Sequence, residues 1–277
     1  KLRKIFCFGA GYLFLCLNTF MKILFLDIDG TVLSHTTGRI PNDAVEQIKR
    51  IRHQGILVFG CTGRHKLELA KLPLENFVVD GWITMNGSMN YLCDGSCISA
   101  YPISTHDIHV LYDGIKKMPF PCQFLEEDTM YMNMHDAYVE ESLAKIHSKQ
   151  DPIQPLHRIL KNPVYMCIPW TQKSIFDPIQ QEMHDSAFVR WNAYAIDCFS
   201  SQSGKNRGIE DVLTYYHLRN EDAVCVGDAE NDLAMFDACK IRVAMGNACP
   251  TLKAHATYIT DDIDHDGLAK AIKFLFK

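Results

Sequence analysis

The chain has 277 residues, of which 47% are hydrophobic and 22% charged, and its formal net charge is −5 at pH 7. This composition is typical of a globular protein, and the length allows two domains or one core with an insertion. The negative charge, without any cluster of lysine or arginine, argues against a nonspecific nucleic-acid binder.

The first twenty residues differ from the rest of the chain. A basic start at residues 1–4 precedes a wholly apolar stretch at 5–17, which is too short for a bilayer span of about 20 residues. The stretch fits a signal peptide, but no small-residue cleavage site follows it. Because Met21 directly precedes the first predicted core strand, we expect residues 1–20 to be an extension or an artefact.

The eleven cysteines favour a reducing compartment. Cys61, Cys167 and Cys225 lie in apolar runs, where a free thiol behaves as a small hydrophobic side chain, and the sequence has no CxxC pair. We therefore expect a cytoplasmic protein. We also expect a monomer or weak homodimer, with neither a membrane nor a nucleic-acid partner.

The first part of the chain alternates strands with helices. Short, unbroken apolar runs are typical of buried strands in a parallel sheet, and the alternation predicts right-handed crossovers. The predicted elements are a strand at 23–26, a helix at 41–55, a strand at 56–60, a helix from residue 65 and a strand at 78–85.

From about residue 86 the pattern changes to short strand-like runs separated by prolines and glycines. We predict a separate α/β module there. Its predicted helices cover 106–118 and 137–148, and its predicted strands cover 122–125, 130–134, 164–168, 187–191 and 194–199.

The parallel-sheet pattern then resumes, with a helix at 205–217, a strand at 223–226, a helix at 230–239, a strand at 241–245 and a helix at 268–276. The predicted division is therefore a core in two parts, 21–85 and 198–277, with an inserted α/β cap at 86–197.

Polar residues follow three of the predicted strands. They are Asp27-Ile28-Asp29, Thr62-Gly63-Arg64 and Asp228-Ala229-Glu230-Asn231-Asp232. The carboxyl ends of parallel strands lie side by side, so these residues should meet. Clustered carboxylates can hold Mg²⁺, and an aspartate can accept a phosphoryl group. With Thr62 as a phosphate donor and Lys205 as a neutralising cation, the pattern predicts a phosphatase.

The segments DIDGTVL, CTGR, Lys205 and GDAENDLAMF resemble the four motifs of the haloacid dehalogenase superfamily. Met85-Asn86-Gly87 and the stretch at 243–248 are similar to the Cof-type sugar-phosphate phosphatases within it. The resemblance implies a Rossmann-like parallel-sheet core with a large inserted α/β cap, and small phosphorylated metabolites, sugar phosphates first, as substrates.

The resemblance also implies roles. Asp27 would be the nucleophile, Asp29 the general acid and then base, and Thr62 and Lys205 would hold the phosphate. Mg²⁺ would be bound by the Asp27 carboxylate, the Asp29 backbone carbonyl and Asp228, with Asp232 acting directly or through a water.

Six further residues are candidates for substrate binding. Four of them have an alternative role. Asn86 fits an Asn-Gly turn, Asn247 an ordinary loop residue and Arg64 a solvated arginine at a helix start, and the resemblance also allows Asn231 to steady its loop. Arg207 is an alternative to Lys205, because Asn206 stands where relatives often have glycine. The candidates are Thr31, Gly63, Arg64, Asn86, Asn231 and Asn247.

We predict a Mg²⁺-dependent phosphomonoester hydrolase that acts on a small-molecule phosphate ester through an aspartyl-phosphate. One alternative is a sugar phosphomutase of the same fold, in which a bound sugar phosphate replaces water as acceptor. The other is a phospho-aspartate signalling module, which also combines aspartates, a threonine and a lysine.

Overall fold

The computed structural model describes residues 21–137, 139–141, 151–190 and 193–277. The predicted extension at 1–20 and most of the predicted helix at 137–148 lie outside these residues, so both stay predictions. Within the described part of the chain, no helix has the length and apolar character that a bilayer crossing requires.

Thirteen strands form two sheets in the described residues. The core strands are β1 (Ile23–Asp27), β2 (Leu57–Cys61), β3 (Gly81–Thr84), β4 (Met89–Leu92), β5 (Cys97–Ala100), β11 (Ala223–Gly227), β12 (Ile241–Ala244) and β13 (Tyr258–Ile259). The cap strands are β6 (Cys122–Leu125), β7 (Met130–Met132), β8 (Met166–Pro169), β9 (Ser186–Arg190) and β10 (Ile196–Ser200).

The core sheet has the order β13-β12-β11-β1-β2-β3-β4-β5, and pairing is parallel from β13 to β3. Residues Ile23 to Leu26 of β1 are fully buried, as expected for a central strand covered on both faces. The α/β fold class and the strand-helix alternation are therefore confirmed.

Eight α-helices accompany the sheets in the described residues. They are α1 (Asn42–His53), α2 (Lys66–Leu69), α3 (Thr105–Lys117), α4 (Lys173–Glu182), α5 (Lys205–Tyr215), α6 (Leu233–Ala238), α7 (Pro250–His255) and α8 (Gly267–Leu275). The predicted helix at 230–239 begins with a 3₁₀ turn, Glu230–Asp232, before α6. Helix α4 has no counterpart in our prediction, because Pro178 lies inside it and proline normally ends a helical pattern.

The cap is a five-stranded antiparallel sheet of order β7-β6-β8-β10-β9. Its hydrophobic core joins α3 and α4 to one face through Leu111, Phe124 and Phe176. The sheet topology differs from the predicted cap of 86–197 at both ends. Strands β4 and β5 extend the core sheet, and β10 runs to Ser200, because the pairing partner of a short strand cannot be read from its own sequence.

Candidate active site

Four segments meet at the carboxyl end of β1. Strands β11, β1 and β2 are neighbours, so Asp228, Asp27 and Thr62 follow one another along the edge of the sheet. Lys205 enters from the first turn of α5 and bonds to Asp27. The residues that were predicted at strand ends are therefore together in space.

Lys205 lies between two carboxylates. Its side chain is 2% exposed, and its Nζ donates to Asp27 Oδ1 at 2.6 Å and to Asp232 Oδ1 at 2.7 Å. Burial lowers the pKa of Lys205, but the charges of Asp232 and Asp27 outweigh this and raise the pKa above its ordinary value. Lys205 is therefore a permanent cation in this site.

Arg207, the alternative to Lys205, contacts other residues. Its Nε donates to the hydroxyl of Tyr101 at 2.9 Å and pairs with Asp211 at 3.2 Å. These contacts join α5 to the end of β5, whereas Lys205 bonds to Asp27, which favours Lys205 over Arg207.

Asp27, Asp228 and Asp232 form a cluster in which one oxygen of each lies within 4.8 Å of the others. Burial and the charge of Asp232 raise the pKa of Asp27 well above its ordinary value, and the same two causes raise the pKa of Asp228 to about 6. Carboxylates this close repel each other unless a cation joins them. The all-oxygen donor set suits Mg²⁺, so these residues fit a divalent metal ion.

Asp232 holds the loop after β11 in place. Its Oδ2 accepts hydrogen bonds from the backbone N–H of Asp228 at 2.9 Å and of Ala229 at 3.1 Å, while its Oδ1 accepts from Lys205. Both oxygens of this fully buried carboxylate therefore have partners within the protein.

The turn after β1 brings Thr31 to Asp228. The N–H groups of Val32 and Leu33 both donate to the carbonyl of Ile28, which turns Thr31 inward. Thr31 is fully buried, and its Oγ1 donates to Asp228 Oδ1 at 3.1 Å. In the structure Thr31 supports a carboxylate of the aspartate cluster, and its contact with substrate stays a prediction.

Gly30 makes this turn possible. Its φ is +87°, which residues other than glycine rarely adopt, and a Cβ there would lie 2.3 Å from Asp228 Oδ2. Both the backbone conformation and the close approach of Asp228 require glycine.

Asp29 forms a bidentate ion pair with Arg64. Arg64 Nε donates to Asp29 Oδ2 at 2.7 Å and Nη2 donates to Oδ1 at 2.8 Å, and these hydrogen bonds are the main reason that the pKa of Arg64 is raised. Arg64 was expected to contact a substrate anion, and here it holds the carboxylate of the predicted acid.

Thr62, Gly63 and Asn86 form the loop beside this pair. Thr62 Oγ1 accepts from the N–H of Arg64 at 3.1 Å, and the N–H of Asn86 donates to the Thr62 carbonyl at 3.1 Å. Asn86 has a φ of +53° within the turn Met85–Gly87, so the Asn-Gly turn is present. Its side chain lies against Gly63, where a Cβ would be 3.2 Å from Asn86 Oδ1.

The two remaining candidates differ in position. Asn247 Nδ2 donates to the carbonyl of Gly30 at 2.8 Å, and its Oδ1 accepts from the N–H of Ile263 at 3.1 Å, so its amide joins two loops. These contacts fit the alternative of a loop residue, and a contact of Asn247 with substrate stays a prediction. Asn231, in contrast, lines the cavity above the aspartates.

A cavity of about 940 Å³ lies between the core and the cap. Its core side carries Asp27, Asp29, Thr62 and Arg64, together with Glu68 and His35, which our sequence reasoning missed. Its cap side is formed by Met166, Ile168, Phe188, Val189, Arg190 and Asp197. Strand alternation in the cap was visible in the sequence, but alternation does not tell which face covers the site.

His65 joins the core to the cap. It is fully buried, and its Nδ1 accepts from the N–H of Leu67, so the ring proton is on Nε2. Nε2 lies 2.9 Å from the carbonyl of Glu126 and 3.1 Å from that of Glu127, in the turn between β6 and β7. Desolvation by burial lowers the pKa of His65, which keeps this ring neutral.

Known proteins resemble the chain along most of its length. YkrA of Bacillus subtilis (strain 168) is 29% identical over 260 residues, covering 92% of this chain and 97% of YkrA. The 5-amino-6-(5-phospho-D-ribitylamino)uracil phosphatase YwtE of the same strain is 26% identical, covering 90% and 96%. The solved structure of the subclass IIB sugar phosphatase BT4131 is 28% identical, with a TM-score of 0.79, covering 91% and 98%.

The family comparison agrees with these relatives and with the geometry of the site. The sequence pattern of the haloacid dehalogenase-like hydrolases matches residues 24–272, which include both parts of the core and the whole cap. The chain therefore belongs to the haloacid dehalogenase-like hydrolases, in their Cof-type group.

Proposed function

We propose that this phosphatase hydrolyses small phosphorylated metabolites, sugar phosphates first, with Mg²⁺ as cofactor and an aspartyl-phosphate on Asp27 as intermediate. The proposal is carried by one observation, the Asp27 carboxylate held 2.6 Å from Lys205 beside two further carboxylates, at the floor of a cavity that the cap covers. The similarity to a sugar phosphatase and to the phosphatase YwtE supports it.

Asp27, Asp228 and the backbone carbonyl of Asp29 would hold the metal ion. Asp232 would act through a water, because both of its oxygens already accept hydrogen bonds from Lys205 and from backbone N–H groups. When bound, Mg²⁺ would offset the charge of these carboxylates and polarise the phosphate.

The reaction would have two steps. An oxygen of Asp27 attacks phosphorus, the bond from phosphorus to the ester oxygen breaks, and Asp29 gives its proton to the leaving alkoxide. Asp29 then takes a proton from a water, which attacks the phosphoryl group and restores Asp27. Thr62 and the N–H of Gly63 would donate to the phosphate oxygens, and Lys205 would neutralise their charge.

The ion pair of Asp29 with Arg64 defines the state before substrate binds. Both oxygens of the Asp29 carboxylate accept hydrogen bonds from Arg64, at 2.7 and 2.8 Å, so neither faces a leaving group. We infer that the incoming phosphate draws Arg64 away and so frees an oxygen of Asp29 to meet the ester oxygen. Asn231 would contact the substrate from the cavity wall.

Replacement of the nucleophile tests the proposal. Asp27→Asn keeps the side-chain shape, and we expect p-nitrophenyl phosphate hydrolysis to fall by at least about a thousandfold. Circular dichroism checks that the fold is retained. Turnover by the folded variant close to that of the unaltered protein would contradict the role of Asp27.

Removal of metal and analysis of products complete the test. EDTA should abolish turnover and added Mg²⁺ should restore it. In water labelled with heavy oxygen, a hydrolase puts the label into the released phosphate, whereas a phosphomutase yields an isomeric sugar phosphate without label. An aspartyl-phosphate that persists without turnover would favour the signalling module.

A further inference from the structure

The cap residues that line the cavity are four apolar side chains, one carboxylate and one guanidinium group. Met166 belongs to a cluster at the boundary of core and cap, and Ile168 and Val189 pack against the same cluster. Asp197 of β10 is the register partner of Val189, so their side chains share this face of the sheet. Asp197 also lines the cavity.

Asp197 is tied to the loop that would hold the phosphate. Its Oδ2 accepts from Asn86 Nδ2 at 3.0 Å, and Asn86 in turn bonds through its backbone to Thr62. The side chain of Asn86 lies against Gly63. Asn86 therefore links the Asp197 carboxylate to the loop of Thr62 and Gly63. The leaving group of a phosphate held by this loop must lie nearby.

The charges around the cavity make a second anion costly. Among the described residues that line it, six have carboxylates and two have guanidinium groups. One of the two, Arg64, is paired with Asp29. The other, Arg190 of β9, donates from its Nη1 to the carbonyl of Ala193 at 3.1 Å, so the carboxylates still outnumber the guanidinium groups.

We propose that Asp197 determines specificity for the leaving group. It accepts hydrogen bonds from hydroxyl or amine donors near the ester oxygen, and it excludes phosphate esters that carry a second anionic group. The inference rests on the proposed function, which it deepens by naming the substrate class as phosphomonoesters of neutral or amino polyols. An ester that lacks this donor binds less well, because it does not form the hydrogen bond to Asp197.

The test compares kcat/KM for glucose 6-phosphate and for 2-phosphoglycolate, with Mg²⁺ present. We expect the unaltered protein to prefer glucose 6-phosphate by more than about tenfold, and Asp197→Asn to lower this preference at least about tenfold. Asp197→Lys should reverse the order, because it places a cation beside the carboxylate of 2-phosphoglycolate. Asp113→Asn, on the exposed side of α3, is the matched control and should leave the preference unchanged.

The outcomes separate this inference from the proposed function. A preference for 2-phosphoglycolate in the unaltered protein, or a preference within twofold of it in folded Asp197→Asn, overturns the role of Asp197. Asp197→Ser, which is smaller, replaces the asparagine variant if that variant does not fold. Absence of p-nitrophenyl phosphate hydrolysis in the unaltered protein would instead overturn the proposed function.

Discussion

The two halves of the cavity are built in different ways. On the core side, the carboxylates of Asp27, Asp29 and Asp232 each have a cation within 2.7 Å. On the cap side, apolar side chains such as Met166 and Ile168 dominate, and Asp197 is linked to the core by Asn86. Charge-assisted hydrogen bonds fix the geometry of the groups they join, whereas unbranched apolar chains such as methionine adapt to what they contact. We therefore expect the core to set the reaction and the cap to choose the substrate.

The largest expected effect comes from removing the cation of the core half. Lys205→Met leaves Asp27 and Asp232 buried without their counterion, so we expect the free energy of unfolding at pH 7 to fall by about 3 kcal/mol. The loss should shrink at lower pH, because burial raises the pKa of Asp27 and this carboxylate can then take up a proton. Urea denaturation measures both quantities.

A lysine on the cap surface provides the control for this prediction. Lys173, whose side chain is 73% exposed, pairs with Asp177 across one helical turn. Lys173→Met should change the free energy of unfolding by less than about 0.5 kcal/mol. Equal losses of unfolding free energy in Lys205→Met and Lys173→Met would contradict the stabilising role of Lys205 in the core.

The second prediction concerns a pair of glycines with positive φ. Gly30→Ala drives a Cβ into Asp228, so we expect the affinity for Mg²⁺ to fall at least about tenfold. Gly38 has a φ of +65°, and no atom lies within 4 Å of where a Cβ would stand. Gly38→Ala therefore introduces backbone strain only. Calorimetric titration with Mg²⁺ should separate the two variants, and equal affinities would show that Gly30 does not control the position of Asp228.

The smallest expected effect concerns His65, which joins the core half to the cap half, and it depends on pH. The pKa of His65 is lowered by burial, so its stabilising contribution is complete above the ordinary histidine value, about 6.5, and is lost as pH falls through the folded value. Protonation at Nδ1 would end the hydrogen bond from Leu67 and bury a charge. The groups that act on it electrostatically are Lys66 and Asp128.

His65→Gln removes this titration while keeping a side-chain donor. Between pH 7.5 and pH 5.5 the melting temperature of the unaltered protein should fall by about 2–4 °C more than that of the variant. Other groups titrate in both proteins, so the difference isolates residue 65. A parallel fall in both proteins would show that His65 does not titrate in this range.

The core half of the site could be predicted well from the sequence, for a physical reason. Buried parallel strands are short apolar runs, and their ends lie on one edge of the sheet, so the pattern of residues alone places Asp27, Thr62 and Asp228 together. The directions of side chains in turns could not be predicted. The sequence did not indicate that Thr31 donates to Asp228 or that Asn247 donates to the carbonyl of Gly30, and the predicted contacts of both residues with substrate stay predictions.

The residues of the cap that face the cavity could not be predicted from the sequence, although the strands of the cap could. An alternating strand has two faces, and only packing against helices α3 and α4 decides which face is left for the cavity. The β4–β5 hairpin was assigned to the cap for a similar reason, since its pairing with β3 is a tertiary contact.

His65 contacts the cap through backbone groups, so this contact does not depend on which side chains the cap turn carries. The ring bonds to backbone carbonyls of Glu126 and Glu127, which every amino acid provides, and the neighbouring pair of Lys66 with the exposed Asp128 adds little. The attachment is therefore insensitive to the side chains of the turn. We therefore expect substitutions in this turn to leave the contact between His65 and the cap in place.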